Sequence, residues 1–299
     1  MNSRAPSQIL CIGSVLWDVI GRSPVTMREG ADRPGRITRL PGGVALNIAM
    51  ALARHGLRPT LLSAVGRDPE GEELITACAG LDLVTEHIYR PGDLPTDRYM
   101  AVEAANGLIA AIADAHTLEA AGARILVPLV DGTLGDARAP YAGIIALDGN
   151  LTTALLTQIA ESPAFSAADL RIAPASPGKA DRIARFLRHG RSTLYVNLEE
   201  AGLLCGTRFE TAEAAAEALL GQGAARVLVT DGARPAADAH PDGVLSLAPP
   251  KVAVARVTGA GDTFMAAHIA AETRGHRREA ALSHALAAAA RHVSGETSV

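Results

Sequence analysis

The feature that most restricts the fold is an alternation. Short apolar runs that end in glycine or a polar residue recur along the chain, separated by stretches with helical spacing. The first run is Ile9-Leu10-Cys11-Ile12-Gly13. The pattern returns at 60–66, 144–150, 170–174, 193–197 and 227–233. Apolar runs of this length, without polar alternation, read as strands buried on both faces. Helical patterns fall at 44–54 (stopped by Gly56), 70–79, 151–161, 178–188 and 276–292. Strands alternating with helices call for a mostly parallel sheet with crossover helices on both faces. The expected architecture is therefore a three-layer α/β/α core. One domain covers 1–299, with no linker and no solenoid repeat.

One stretch breaks this rhythm. Arg98 to Glu103 and Leu108 to Ala113 flank Ala104-Ala105-Asn106-Gly107. Asn-Gly between strand-like runs is a strong hairpin signal. Such a hairpin is expected to leave the main sheet and pair with the irregular, arginine-rich stretch that ends near residue 40. The two segments, about 16–40 and 97–113, would form a small accessory sheet.

Composition narrows the classes of function. The 299 residues are 48% hydrophobic and 20% charged, enough for a large core, and the net charge of −4 argues against a nucleic-acid footprint. Of the basic residues only Lys179 and Lys251 are lysine. Cys11, Cys78 and Cys205 are unevenly spaced and form no CxxC pair, which fits reduced thiols in a cytoplasmic protein and no zinc site. No signal peptide and no membrane span are expected. GxxxxGK[ST] is absent, and no GxGxxG follows the first strand, so neither a P-loop nor a dinucleotide-binding turn is present.

The chemistry concentrates at a few turns. Val257-Thr258-Gly259-Ala260-Gly261-Asp262-Thr263-Phe264 opens into an apolar helix, where free N–H groups and the helix dipole attract anions. Asp262 there is either an N-cap or a base beside an anion-binding turn. Asp18 follows the first strand, where open α/β sheets place ligand contacts, or is a turn carboxylate. Gly42-Gly43 permits close backbone approach at the start of helix 44–54, and Asn47 one turn in faces either solvent or a ligand. Lys179 reads by itself as a surface lysine in the first turn of helix 178–188.

Two of these segments resemble the signatures of the ribokinase-like PfkB family of carbohydrate kinases: 41–56 its N-terminal sugar-binding motif, 257–264 its C-terminal motif. Asn197-x-x-Glu200 and Val229-Thr230-x-Gly232 lie between them in the family's order. The resemblance covers nearly the whole chain. It implies a ribokinase-like core with a small β-sheet lid, and ATP-dependent phosphorylation of a ribosyl 5′-hydroxyl. Asp262 would be the base, with the N–H groups of Gly259, Ala260 and Gly261 as the anion hole. Asp18, Gly42, Gly43, Asn47, Tyr99 and Asn150 would hold the substrate. Lys179, Asn197, Thr230, Gly232 and Thr258 would serve ATP, and Glu200 a Mg2+ ion. K+ dependence, common in the family, would involve backbone oxygens near Ser294-Gly295. A homodimer through the lid is expected.

Within the family, Tyr99-Met100-Ala101-Val102 and Asn106 to Asp114 resemble the lid of the pseudouridine kinases. That likeness implies a pseudouridine substrate, with ribokinase-like or adenosine- and cytidine-kinase-like activity as the alternative, and a non-catalytic nucleoside-binding relative as another. Leu46 stands where that subfamily commonly carries arginine, a difference expected to bear on the substrate pocket.

Overall fold

The computed structural model describes residues 9–296. The chain enters on β1 (Ile9–Ile12), leaves for β2 (Leu16–Arg22) and β3 (Arg36–Gly42), and returns through α1 (Val44–Arg54) to β4 (Thr60–Leu62) and α2 (Pro69–Gly80). A second excursion makes β5 (Arg98–Ala104) and β6 (Gly107–Asp114). The chain then runs through α3 (His116–Ala121), β7 (Ile144–Asp148), α4 (Thr153–Glu161), β8 (Asp169–Ala173), β9 (Ser192–Asn197), α5 (Leu198–Cys205) and α6 (Ala212–Gly221). It closes with β10 (Arg226–Asp231), β11 (Arg234–His240), β12 (Gly243–Leu247), α7 (Ala260–Thr273) and α8 (Arg278–Ser294).

The main sheet has the order β12-β11-β10-β9-β8-β7-β1-β4. From β10 to β4 every pairing is parallel, and β11 and β12 close one edge as an antiparallel hairpin. Alternate residues of each strand feed opposite layers. Leu10 and Ile12 join Leu155 and Leu156 of α4 and Leu219 of α6. Ile9 and Cys11 join Leu46, Ile48 and Leu52 of α1, Met265 and Ile269 of α7 and Leu282 of α8. Each large side chain removed from water in this way contributes about 1.5–3 kcal/mol. That two-sided burial is why these strands read as continuous apolar runs.

Helix α1 spans the residues its apolar spacing predicts, and Gly56 behind it has φ 73°. The segment expected as a helix over 178–188 differs: Pro177–Arg188 winds as a 3₁₀ helix. Its buried side chains are Ala180, Ile183, Phe186 and Leu187, of which the first three stand in line at three residues per turn. The stretch 19–40, read from sequence as irregular but expected to pair with the hairpin, contributes to two strands, β2 and β3, joined by residues 23–35.

The hairpin of β5 and β6 does leave the main sheet. It joins β2 and β3 in a four-stranded sheet of order β3-β2-β5-β6, with β2 and β5 parallel and the other pairs antiparallel. Asn106 at the hairpin turn also clasps Met27, accepting from its N–H at 3.0 Å and donating to its carbonyl at 2.9 Å. The small sheet is fastened to α2 at one end. The Trp17 indole N–H donates to the Glu70 carbonyl at 2.9 Å, the Arg39 guanidinium lies 4.3 Å from the Trp17 ring centre, and Arg98 pairs with Glu70 at 2.7 Å.

Candidate active site

Helices α1 and α7 bring their first turns together. Gly43 caps α1 with φ 98°, a conformation that L side chains rarely adopt, and a Cβ there would also run into the Ser14 backbone. One turn in, the Asn47 amide donates to Asp262 Oδ2 at 3.0 Å. The cap of α7 is Gly259, at φ 81° and without a side-chain bond, so Asp262 is the third helical residue and not the N-cap. The N–H of Ala260 is taken by the Val257 carbonyl at 3.1 Å, which removes it from the expected trio of free donors. Among the described residues no acceptor takes the N–H of Gly259, Gly261 or Asp262. These three donors, with the dipole behind them, form the anion-attracting end of α7.

Asp262 is half-buried, and no cation pairs with it among the described residues. Burial pushes its pKa up to about 7. The Asn47 hydrogen bond opposes that rise, while the negative fields of Asp148, Asp18 and Glu200 add to it. Asp18 sits in β2, not in a turn, and burial raises it to about 6. Its carboxylate occupies the space a side chain on Gly42 would need, which is why that position in β3 takes glycine. Tyr99 of β5 is the cross-strand neighbour of Asp18, and burial and that carboxylate raise its phenol.

A second group forms around two residues that no motif singled out. Ser14 follows β1, and Asp148, fully buried, ends β7; the adjacency of those strands joins positions 134 apart. The Asp148 carboxylate accepts from the Ser14 N–H at 2.8 Å and from the Ser14 hydroxyl. The same hydroxyl accepts from the N–H of Val44 at 2.9 Å, fixing the start of α1. Asn150 is drawn in: its N–H donates to Asp148 Oδ1 at 2.7 Å, its amide donates to Ser14 Oγ at 3.2 Å, and its Oδ1 accepts Lys179 Nζ at 2.5 Å. Burial and the neighbouring Arg182 lower the Lys179 pKa.

The third group lies at the carboxyl ends of β9 and β10, where parallel sheets place ligands. Asn197 and Glu200 bond each other reciprocally at the start of α5: each side-chain oxygen accepts the other's backbone N–H at 2.8 Å. Burial lifts Glu200 to about 7 despite the Asn197 N–H. Thr230 is paired with Asn197 across β9 and β10, and Gly232, φ 57°, lies exposed just beyond. The Thr258 carbonyl accepts from His292 Nε2 at 2.8 Å, and a Cβ on Gly259 would lie 3.2 Å from that same nitrogen. His292, from α8, was not read from sequence. It backs the turn before α7, and the Ala255 and Arg256 N–H groups donate to the Val293 carbonyl beside it.

Leu46 is fully buried in the core beside the other apolar residues of α1. Among the described residues no group of three or more His, Cys, Asp or Glu could hold a metal, and no helix is long and apolar enough to cross a membrane.

A three-layer core with helix-capped carboxyl strand ends, plus a second sheet beside them, is the ribokinase-like fold. The pfkB family carbohydrate kinase model matches residues 6–297, and the chain belongs to that family. It is 30% identical over 200 residues to an uncharacterized sugar kinase, YeiI, of Escherichia coli, covering 65% of this chain and 52% of that one, about half of that relative's length. It is 28% identical over 268 residues to pseudouridine kinase of the same organism, covering 88% and 83% of the two chains. The structure of Arabidopsis thaliana ribokinase complexed with ribose and ATP superposes with a TM-score of 0.77 at 23% identity, over 97% of this chain and 93% of that one.

Proposed function

We propose that the protein transfers the γ-phosphoryl group of ATP to the 5′-hydroxyl of a ribosyl substrate, and that pseudouridine is that substrate. The observation that carries the reading is the carboxylate of Asp262. Among the described residues it is held by Asn47, paired with no cation, and set among free N–H groups at the head of α7. A pKa near 7 suits a base that accepts the hydroxyl proton as the oxygen attacks phosphorus. The N–H groups of Gly259 and Gly261 aim at the place where negative charge gathers on the transferring group. Asp18, with the backbone of Gly42 and Gly43, would grip the far ribose hydroxyls, and Tyr99 would meet what is attached at C1′.

ATP would lie along Asn197, Thr230, Gly232 and Thr258, with Lys179 toward its phosphates and Asn150, bonded to Lys179, on the substrate side. A Mg2+ ion would offset phosphate charge. One buried carboxylate, Glu200, with substrate oxygens and waters fits an ion that is seldom caged by protein alone. The likeness to a pseudouridine kinase over most of both chains supports the kinase class; the choice of nucleoside rests on the lid segments 99–102 and 106–114. The test is kcat/KM for pseudouridine, uridine, cytidine, adenosine and ribose with ATP and Mg2+. Pseudouridine should lead. If another acceptor leads by tenfold or more, about 1.4 kcal/mol of transition-state binding, only the broader kinase reading stands.

The small sheet would act as the lid over the sugar and as a homodimer interface. Ile37, Met100, Leu108 and Ile112 expose 79%, 49%, 60% and 67% of their surface on it, an apolar patch that a monomer seldom leaves open. Light scattering at micromolar concentration should give a dimer mass, and Ile112→Lys should shift it toward monomer. A monomeric, fully active wild type removes the dimer.

A further inference from the structure

The 3₁₀ segment 177–188 carries a pattern that the proposed reaction uses only at its first member, Lys179. At three residues per turn, side chains at i and i+3 stand in line. One line is the buried row of Ala180, Ile183 and Phe186. The line beside it is Lys179, Arg182, Arg185 and Arg188. A rise of about 2 Å per residue sets successive bases roughly 6 Å apart along the axis. In an α-helix each step of three would rotate by about 60° from the last and scatter the four around the cylinder. The tighter winding is what makes them a row.

The three arginines line an open surface groove of about 600 Å³, with Thr153 from α4, Gln222 beyond α6, Asp181, and the apolar Ala184 and Leu187. Their charge is poorly cancelled. Among the described residues Arg182 donates only to neutral acceptors, the carbonyls of Asn150 at 3.0 Å and Leu151 at 3.3 Å. Arg185 pairs with Glu161 at 2.7 Å, but both ends are about half exposed, where such pairs contribute little. Arg188 has no hydrogen-bond or ion-pair partner among the described residues. Three guanidinium forks with a hydroxyl and an amide around one space suit phosphate oxygens.

We propose that this groove is a second, separate binding site, for a small phosphate-bearing anion carrying at least two negative charges. Its inner end reaches the candidate active site through one residue: Arg182 holds the Asn150 carbonyl and Lys179 holds the Asn150 amide oxygen.

The test is calorimetric titration of pyrophosphate into the wild-type protein and into the Arg185→Gln/Arg188→Gln double variant. A nonhydrolysable ATP analogue is titrated in parallel. The double variant should bind pyrophosphate at least tenfold more weakly, with analogue affinity and melting temperature unchanged. Ribose 5-phosphate, titrated in the same way, separates a phosphorylated sugar from an inorganic oligophosphate as the occupant. Absence of pyrophosphate binding by the wild type overturns the site. So does equal affinity in the double variant, or a matching loss of analogue affinity.

Discussion

Helix α7 carries a carboxylate near each end, and the two have opposite fates. Asp262 in the first turn has one neutral partner, Asn47, and is pushed up to about 7. Glu272 in the last turn is wedged between Arg171 and Arg226, each at 2.5 Å. Burial also works against its charge, but Arg171, His268 and Arg226 pull it down to about 2. The network continues: Arg226 and Arg278 neutralise the fully buried Asp238, and the Tyr195 hydroxyl lies 2.9 Å from His268 Nδ1. Charge at the far end is satisfied and fastens α7 to β8, β9, β10 and β11. Charge at the near end is left unneutralised, and such a group is available for proton transfer. One helix thus separates what fixes it from what it presents.

The comparison breaks most sharply at Asp262. Asp262→Asn should lower kcat with the best acceptor by roughly two orders of magnitude or more, with nucleotide binding little changed. Its stability should move the other way. A carboxyl raised in the folded state costs stability as pH rises from its unfolded value, about 4, through 7. The amide variant should therefore melt higher than wild type at pH 8. Near-normal turnover would reduce Asp262 to a structural residue.

Glu272→Gln should do the reverse, costing about 2 kcal/mol of stability at neutral pH, since it leaves two partly buried guanidinium groups short of a counter-charge. Turnover at a permissive temperature should stay within severalfold. A pKa held near 2 makes this contribution complete above about pH 4.5 and lost as pH falls toward 2. The stability gap between wild type and variant should close over that window in acid denaturation. A constant gap would assign it to packing.

The smallest effect sharpens the near end. The acid limb of the wild-type kcat/KM profile should bend near pH 7. Asn47→Ala removes the bond that lowers Asp262, so the limb should move to higher pH, by about one unit or less. A limb that stays in place would mean another group governs it.

The contrast also marks what was legible in the sequence. Asn47, Gly43 and Asp262 lie in local motifs where glycine, amide and carboxylate have fixed spacing, and the structure brings them into contact. Ser14 and Asp148 carry no local signal. A serine after one strand and an aspartate ending another become partners only when β1 and β7 are known to be neighbours. The same holds for Arg171, Arg226 and Glu272, where charge within apolar segments had no visible counterpart. Strands buried on both faces were clear from their runs. The β11–β12 hairpin was not, because Ala236, Ala237 and Ala239 pack well there without the branched side chains that signal a strand. The 3₁₀ winding was not legible, because the buried set Ala180, Ile183, Phe186 and Leu187 also has α-helical spacing.

The make-up of the small sheet has a bearing on how the chain assembles. Its central pair, β2 and β5, joins segments that are remote along the chain: Arg22 and Glu103, paired at 2.7 Å, are 81 positions apart. Closing a loop of that length costs roughly 4 kcal/mol of chain entropy before any contact repays it. The intervening α1, β4 and α2 can dock on β1 first and shorten the search. The surface that would cover the sugar is then among the last parts to organise and, under mild denaturant, the first to let go.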